Sequence, residues 1–155
     1  MDEIIELLIE ELRRLVSYRA QPIQLAKCTI LFSILLGLKI VVEPDATDKK
    51  IVSQFAGRRL VKALKAELEG IEQPFRFFKS AKLASPEKLA EAFKILFGYE
   101  YGWESADRRR YRVMELLEHP IDVGTWRKVG GPECELLEHL AIHLIESRDE
   151  DSDVA

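Results

Sequence analysis

The spacing of apolar residues is the feature that most restricts the fold of this 155-residue chain. In residues 2–18, apolar side chains recur every three or four positions, which places them on one face of an α-helix. The same spacing recurs along the chain and is interrupted by prolines and glycines, which begin or end helices. The pattern predicts a mainly α fold, a compact bundle of about six helices. The interrupting residues are Pro22, Gly37, Gly70, Pro86, Gly98, Pro120 and Pro132.

The predicted helix boundaries follow from these interruptions and from capping residues. A second helix begins at Pro22 and runs through the apolar stretch to Gly37, and a third ends before Gly70. Ser85 opens the next helix as an N-cap, and Ser105 or Asp107 caps the one that ends before Pro120. A short helix then covers about 123–128, and the last helix reaches about residue 146. One short strand pair, near residues 38–43 and 75–79, is also compatible with the sequence.

Composition indicates one soluble domain followed by a tail. Hydrophobic residues make up 47% and charged residues 32% of the chain, values that exclude a disordered protein. We expect a single helical domain over 1–146 and an acidic, disordered tail over 147–155. The apolar run 28–42 is too short for a membrane span, so we expect no membrane partner. Two cysteines without a disulfide framework favour a cytoplasmic location.

The sequence lacks the signatures of the common enzyme classes. It contains no phosphate-binding glycine loop, no G-x-S-x-G and no H-E-x-x-H. Glu135, His139 and His143 recur every four residues, but on the predicted helix they lie opposite the apolar face, so we expect both histidines to point to water. Cys28 lies among apolar residues that would keep its thiol unreactive. We therefore expect no enzyme activity, no metal site and no cofactor.

Charge is distributed unevenly along a chain whose formal net charge is −4. Residues 47–82 carry nine basic and four acidic side chains, a net charge of +5, whereas residues 129–155 carry a net charge of −7. The basic middle segment can face phosphates or an acidic partner, or it can form the solvated side of a helix. We favour the solvated helix side, because charge runs alone rarely specify a partner.

Residues 105–128 have the spacing of a helix-turn-helix motif. The rhythm LLxxPxDVxTWRK is similar to that of bacterial helix-turn-helix regulators, which implies a short helix that reads the DNA major groove. Residues 104–128 carry a net charge of only +1, and the reading helix is short. DNA binding by a transcriptional regulator is therefore our alternative hypothesis. Its candidate DNA-binding residues are Arg109, Arg110, Arg112, Thr125, Arg127 and Lys128.

The aromatic loop FGYEYGWES, residues 97–105, supplies the preferred hypothesis. Tyrosine, tryptophan and arginine dominate the energetics of protein interfaces, and this loop is followed directly by arginines. The loop can alternatively cap the core. We expect a small, non-enzymatic helical module that binds another protein as an adaptor or regulatory domain. The sequence does not define its partner or oligomeric state. The candidate partner-binding residues are Tyr99, Tyr101, Trp103, Arg108 and Arg109.

Overall fold

A computed structural model describes the backbone of residues 2–37 and 57–154, and the side chains of residues 3–37 and 58–147. These residues confirm the predicted mainly α fold. None of the helices in these two ranges is long and apolar enough to span a lipid bilayer. The helices are α1 (Asp2–Tyr18), α2 (Pro22–Ala26), α3 (Thr29–Leu35), α4 (Gly57–Glu69), α5 (Pro86–Leu96), α6 (Ala106–Leu116), α7 (Val123–Arg127) and α8 (Pro132–Val154).

The core forms where α1 packs along α8 and the shorter helices pack around this pair. Helix α6 packs against α5 and contacts α1, and α7 packs against α8. Trp126 of α7 is completely buried, with its ring edge-on to Phe77 at a centroid distance of 5.6 Å. Fully buried leucines from α1 and α8 fill the centre, as their helical spacing predicts. They are Leu8, Leu12, Leu15, Leu136, Leu137, Leu140 and Leu144.

Three helices begin at a capping side chain; the sequence predicts Ser85, and predicts Ser105 as one of two alternatives. The hydroxyl of Ser85 accepts a hydrogen bond from the backbone N–H of Lys88 at the start of α5. Ser105 accepts from Arg108 in the same way at the start of α6. The carboxylate of Asp122 accepts from the N–H of Thr125 and caps α7. Each bond satisfies one backbone donor that has no partner within its helix.

The predicted second helix is wrong as one continuous element, because it is divided into α2 and α3. Glu11 of α1 accepts hydrogen bonds from the backbone N–H of Ile30, at 3.0 Å, and of Leu31, at 2.8 Å. In an uninterrupted helix these donors would bind carbonyls one turn earlier. The Glu11 carboxylate therefore caps α3 from another helix, although burial raises the pKa of its carboxyl. Nothing in the local spacing of residues 22–37 signals this long-range contact.

The remaining elements differ from expectation at their edges. The predicted strand at 38–43, and the start of the third helix, lie outside the described residues. Residues 75–79 form no strand, and Phe75 instead pairs with Ala84 in an isolated antiparallel bridge. The last helix extends to Val154, beyond its predicted end near Glu146. The division into a domain over 1–146 and a separate acidic tail stays a prediction.

Replacing Glu11 tests the capping contact between α1 and α3. Glu11→Ala leaves the N–H groups of Ile30 and Leu31 buried without their acceptor, so we expect a loss of about 1–3 kcal/mol in the free energy of unfolding. Urea denaturation measures this loss. Glu10→Ala is the matched control, because among the described side chains Glu10 forms only an exposed ion pair with Arg13. Equal stability of the two variants would contradict the capping role.

Candidate functional site

The aromatic loop is held in place by the segment that follows α1. Gly98 has a φ of +81°, and a Cβ atom built there would lie 2.6 Å from Cγ of Arg19. The Arg19 side chain passes over this glycine and donates a hydrogen bond of 2.9 Å to the carbonyl of Gly102. Only glycine combines this left-handed backbone with the close approach of a side chain. Arg19, which is distant in sequence, therefore positions the loop by contacting it at both Gly98 and Gly102.

Tyr99 faces inward and anchors the loop to α4. Its hydroxyl donates a hydrogen bond of 2.5 Å to the backbone carbonyl of Val61. Burial raises the pKa of the Tyr99 hydroxyl, so it remains a donor at neutral pH. Tyr99 thus has the core-capping role that the sequence left open, and we remove it from the contact surface.

Tyr101 and Trp103 form an aromatic pair that is supported by Arg112. The guanidinium carbon of Arg112 lies 3.7 Å from the centroid of the Tyr101 ring, and Glu104 accepts two hydrogen bonds from the same guanidinium. These bonds and the charge of Arg112 lower the pKa of the Glu104 carboxyl. The Trp103 ring is tilted 62° to that of Tyr101, with 5.7 Å between centroids. Trp103 itself is 82% exposed.

Arg108 and Arg109 are neighbours in sequence, but only Arg109 is buried. Arg108 is exposed. Arg109 is 2% exposed and donates hydrogen bonds of 2.7 Å to the carbonyls of Val16 and Glu104. Val16 lies in the last turn of α1, whose carbonyls lack partners within the helix. Because the guanidinium is already engaged there, we remove Arg109 from both predicted binding sets.

The side chain of Arg110 is also buried. It forms a two-pronged ion pair with Glu133 of α8, at 2.9 and 3.4 Å, and a 2.9 Å bond to Asp107. Glu133 is 1% exposed, so both members of the pair are withdrawn from water. Arg127 of α7 contacts the same Asp107 carboxylate at 3.2 Å. Charges that the sequence assigned to the surface therefore join α6, α7 and α8.

This geometry weakens the helix-turn-helix hypothesis. Helix α7, which would read the DNA, has only five residues, and Trp126 turns into the core. Asp122 uses its carboxylate as the N-cap of this helix. Thr125 and Lys128 are exposed. Four of the six candidate DNA-binding residues are engaged within the chain, namely Arg109, Arg110, Arg112 and Arg127.

The exposed side of α6 forms a surface that sequence analysis missed in part. Arg108, Tyr111, Arg112 and Glu115 follow an i, i+3, i+4, i+7 spacing, and all four are exposed. We call these four residues the outer face. Tyr111 and Glu115 were not predicted, although their helical spacing from Arg108 is the signal that could have identified them.

Two grooves flank the outer face. One, of about 600 Å³, is lined by Tyr111, Met114, Glu115, Pro120 and Ile121, with Lys82 and Glu118 beside them. The second, of about 520 Å³, includes Tyr101, Arg112 and Glu115 among its lining residues. Tyr101, the outer face and the apolar groove are therefore parts of one continuous surface, and Trp103 stands next to Tyr101.

The other candidate residues have structural roles. The sequence predicted that His139 and His143 point to water. Instead, their Nε2 atoms lie 3.1 Å from the carbonyls of Gln73 and Glu67. Both histidines thereby join α8 to α4 and to the segment after it. Cys28 is buried, and burial raises the pKa of its thiol to about 12. Among the described side chains, no group of three His, Cys, Asp or Glu residues is arranged to hold a metal ion.

Comparison with known proteins finds no matching family model, no similar curated protein and no similar solved structure.

Duplex DNA binding separates the two functional hypotheses. We expect no measurable affinity for random-sequence duplex DNA even at about 50 mM salt, because few of the candidate cations remain available for phosphates. Fluorescence anisotropy with a labelled duplex measures this affinity. The alternative would be supported by tight binding that falls roughly 10³–10⁵-fold as salt rises to about 200 mM, and that Lys128→Glu weakens.

Proposed function

We propose that this chain is a non-enzymatic helical module that binds another protein as an adaptor or regulatory domain, through Trp103, Tyr101 and the outer face. The observation that carries the proposal is the exposure of Trp103, 82% of whose surface is accessible beside a tyrosine that an arginine holds in place. A large aromatic side chain exposed in this way gains the most apolar burial when a partner covers it.

Preorganisation of the surface supports this assignment. Arg112 lies against Tyr101, and its two bonds to Glu104 restrict the rotamers of both charged side chains. Since these side chains are already ordered, binding a partner costs less conformational entropy than ordering a flexible loop would. Tryptophan, tyrosine and arginine are also the residue types that most often supply the binding energy of interfaces.

We also propose that the module is cytoplasmic, and this part and the non-enzymatic part of the proposal rest on other features. The chain carries none of the common phosphate-binding, nucleophile or zinc-protease motifs. Its two cysteines, Cys28 and Cys134, form no disulfide, which fits a reducing compartment. The raised pKa of the Cys28 thiol makes this residue a poor nucleophile.

Truncation of Trp103 tests the proposed binding surface. Trp103→Ala should reduce the affinity for a captured protein partner by about 30-fold, the loss typical of an interface hot spot. The partner is first captured from cell lysate on the immobilised wild-type chain and identified by mass spectrometry. Its affinity for both chains is then measured with purified protein.

Phe78→Ala is the matched control, because Phe78 is also highly exposed, at 76%, but belongs to the segment between α4 and α5. This variant should retain wild-type affinity. If Trp103→Ala binds as tightly as the control, the surface around Trp103 is not the binding site. Urea unfolding of both variants establishes that neither change acts through stability.

A further inference from the structure

The charges of the outer face are arranged against the dipole of their own helix. Arg108 lies in the first turn of α6, where the helix dipole favours anions, and Glu115 lies in the last turn, where it favours cations. Neither side chain forms an ion pair with another described side chain. A partner that placed a carboxylate near Arg108 and a cation near Glu115 would offset the unfavourable interaction of each charge with the helix dipole.

We propose that the protein bound at the outer face is a second copy of this chain, with the two α6 helices packed antiparallel about a twofold axis. An axis that crosses α6 between Tyr111 and Arg112 brings Arg108 of each copy opposite Glu115 of the other. The two residues lie about 10 Å apart along the helix, so both ion pairs form close to the axis. The antiparallel helix dipoles are also complementary in this arrangement.

The same axis gives each Trp103 a place to bind. Trp103 lies three residues before the start of α6, and Pro120 lies four residues after its end. Reversing the helix about its centre therefore brings Trp103 of one copy towards the apolar groove beside Pro120 of the other. Met114, Ile121 and the ring of Tyr111 also line this groove. Each copy thus supplies one aromatic side chain and one apolar groove, as a twofold interface requires.

Self-complementarity favours a second copy over an unrelated partner. Arg108 and Glu115 lie at equal distances along α6 from the position of the proposed axis. Trp103 lies before that position in the chain, and the apolar groove beside Pro120 lies after it. An interface between identical chains requires the cation, the carboxylate, the tryptophan and the groove on one surface of the chain. Binding to an unrelated protein requires only the cation or the carboxylate, and only the tryptophan or the groove, on this chain. This inference rests on the proposed function, because it assumes that the outer face binds protein.

Charge reversal tests the arrangement by sedimentation velocity over a concentration series. In the Arg108→Glu dimer, each of the two pairs formed by residue 108 of one copy and residue 115 of the other consists of two carboxylates. In the Glu115→Arg dimer, each of these pairs consists of two cations. Each variant alone should associate at least about tenfold more weakly than the wild type. An equal mixture of the two variants should form a heterodimer, because every opposing pair then has opposite charges. The double variant R108E/E115R should likewise dimerise as the wild type does.

Control variants keep the test specific to the outer face. Arg58→Glu and Glu138→Arg reverse exposed charges on α4 and α8 and should leave dimerisation unchanged. Trp103→Ala should weaken the wild-type dimer. Recovery of the dimer by the mixture and by the double variant excludes misfolding of the single variants as the cause of their weaker association.

The outcomes separate this inference from the proposed function. A wild-type chain that stays monomeric at all concentrations, or a mixture that fails to form the heterodimer, would overturn the second copy as the partner. If that monomer still captures a different protein through Trp103, the proposed binding function stands. If it captures none, both proposals fail.

Discussion

Two adjacent buried arginines fix the orientation of α6, and the arrangement of the candidate site depends on them. Arg109 donates to the C-terminal end of α1 through the carbonyl of Val16, and Arg110 forms a two-pronged ion pair with Glu133 of α8. Breaking a buried pair of this kind by removing one partner typically costs about 3–5 kcal/mol, because the other charge is left without compensation. With these two residues turned inward, helical geometry directs Arg108, Tyr111, Arg112 and Glu115 outward.

The sequence predicts the helices well where the signals are local. Ser85, Ser105 and Asp122 cap helices because their side chains reach donors three residues away, a relation that is visible in the chain. The division between α2 and α3 was not predictable in this way. It depends on Glu11, which lies about twenty residues before the donors that it binds.

The candidate site was only partly predictable, because sequence analysis treated Arg109 and Arg110 as available for binding. Arg109 and Arg110 are buried because each finds buried acceptors on other helices, and those acceptors are distant in sequence. Tyr99, Tyr101 and Trp103 share one loop, but the first is anchored inside, the second is half-buried and only Trp103 is exposed. Side-chain direction in this loop is set by the left-handed backbone at Gly98 and by Arg19, which no spacing rule identifies.

The reactivity of individual arginines tests the central claim that Arg109 and Arg110 lie inside the protein. Phenylglyoxal modifies accessible guanidinium groups, and fragmentation mass spectrometry locates each modified residue. In the native protein Arg58 and Arg76, which are exposed, should react at least about tenfold faster than Arg109 and Arg110, because the buried pair reacts only after local unfolding. In urea all four should react at similar rates. Native modification of Arg109 or Arg110 at the rate of Arg58 would contradict the orientation of α6 described here.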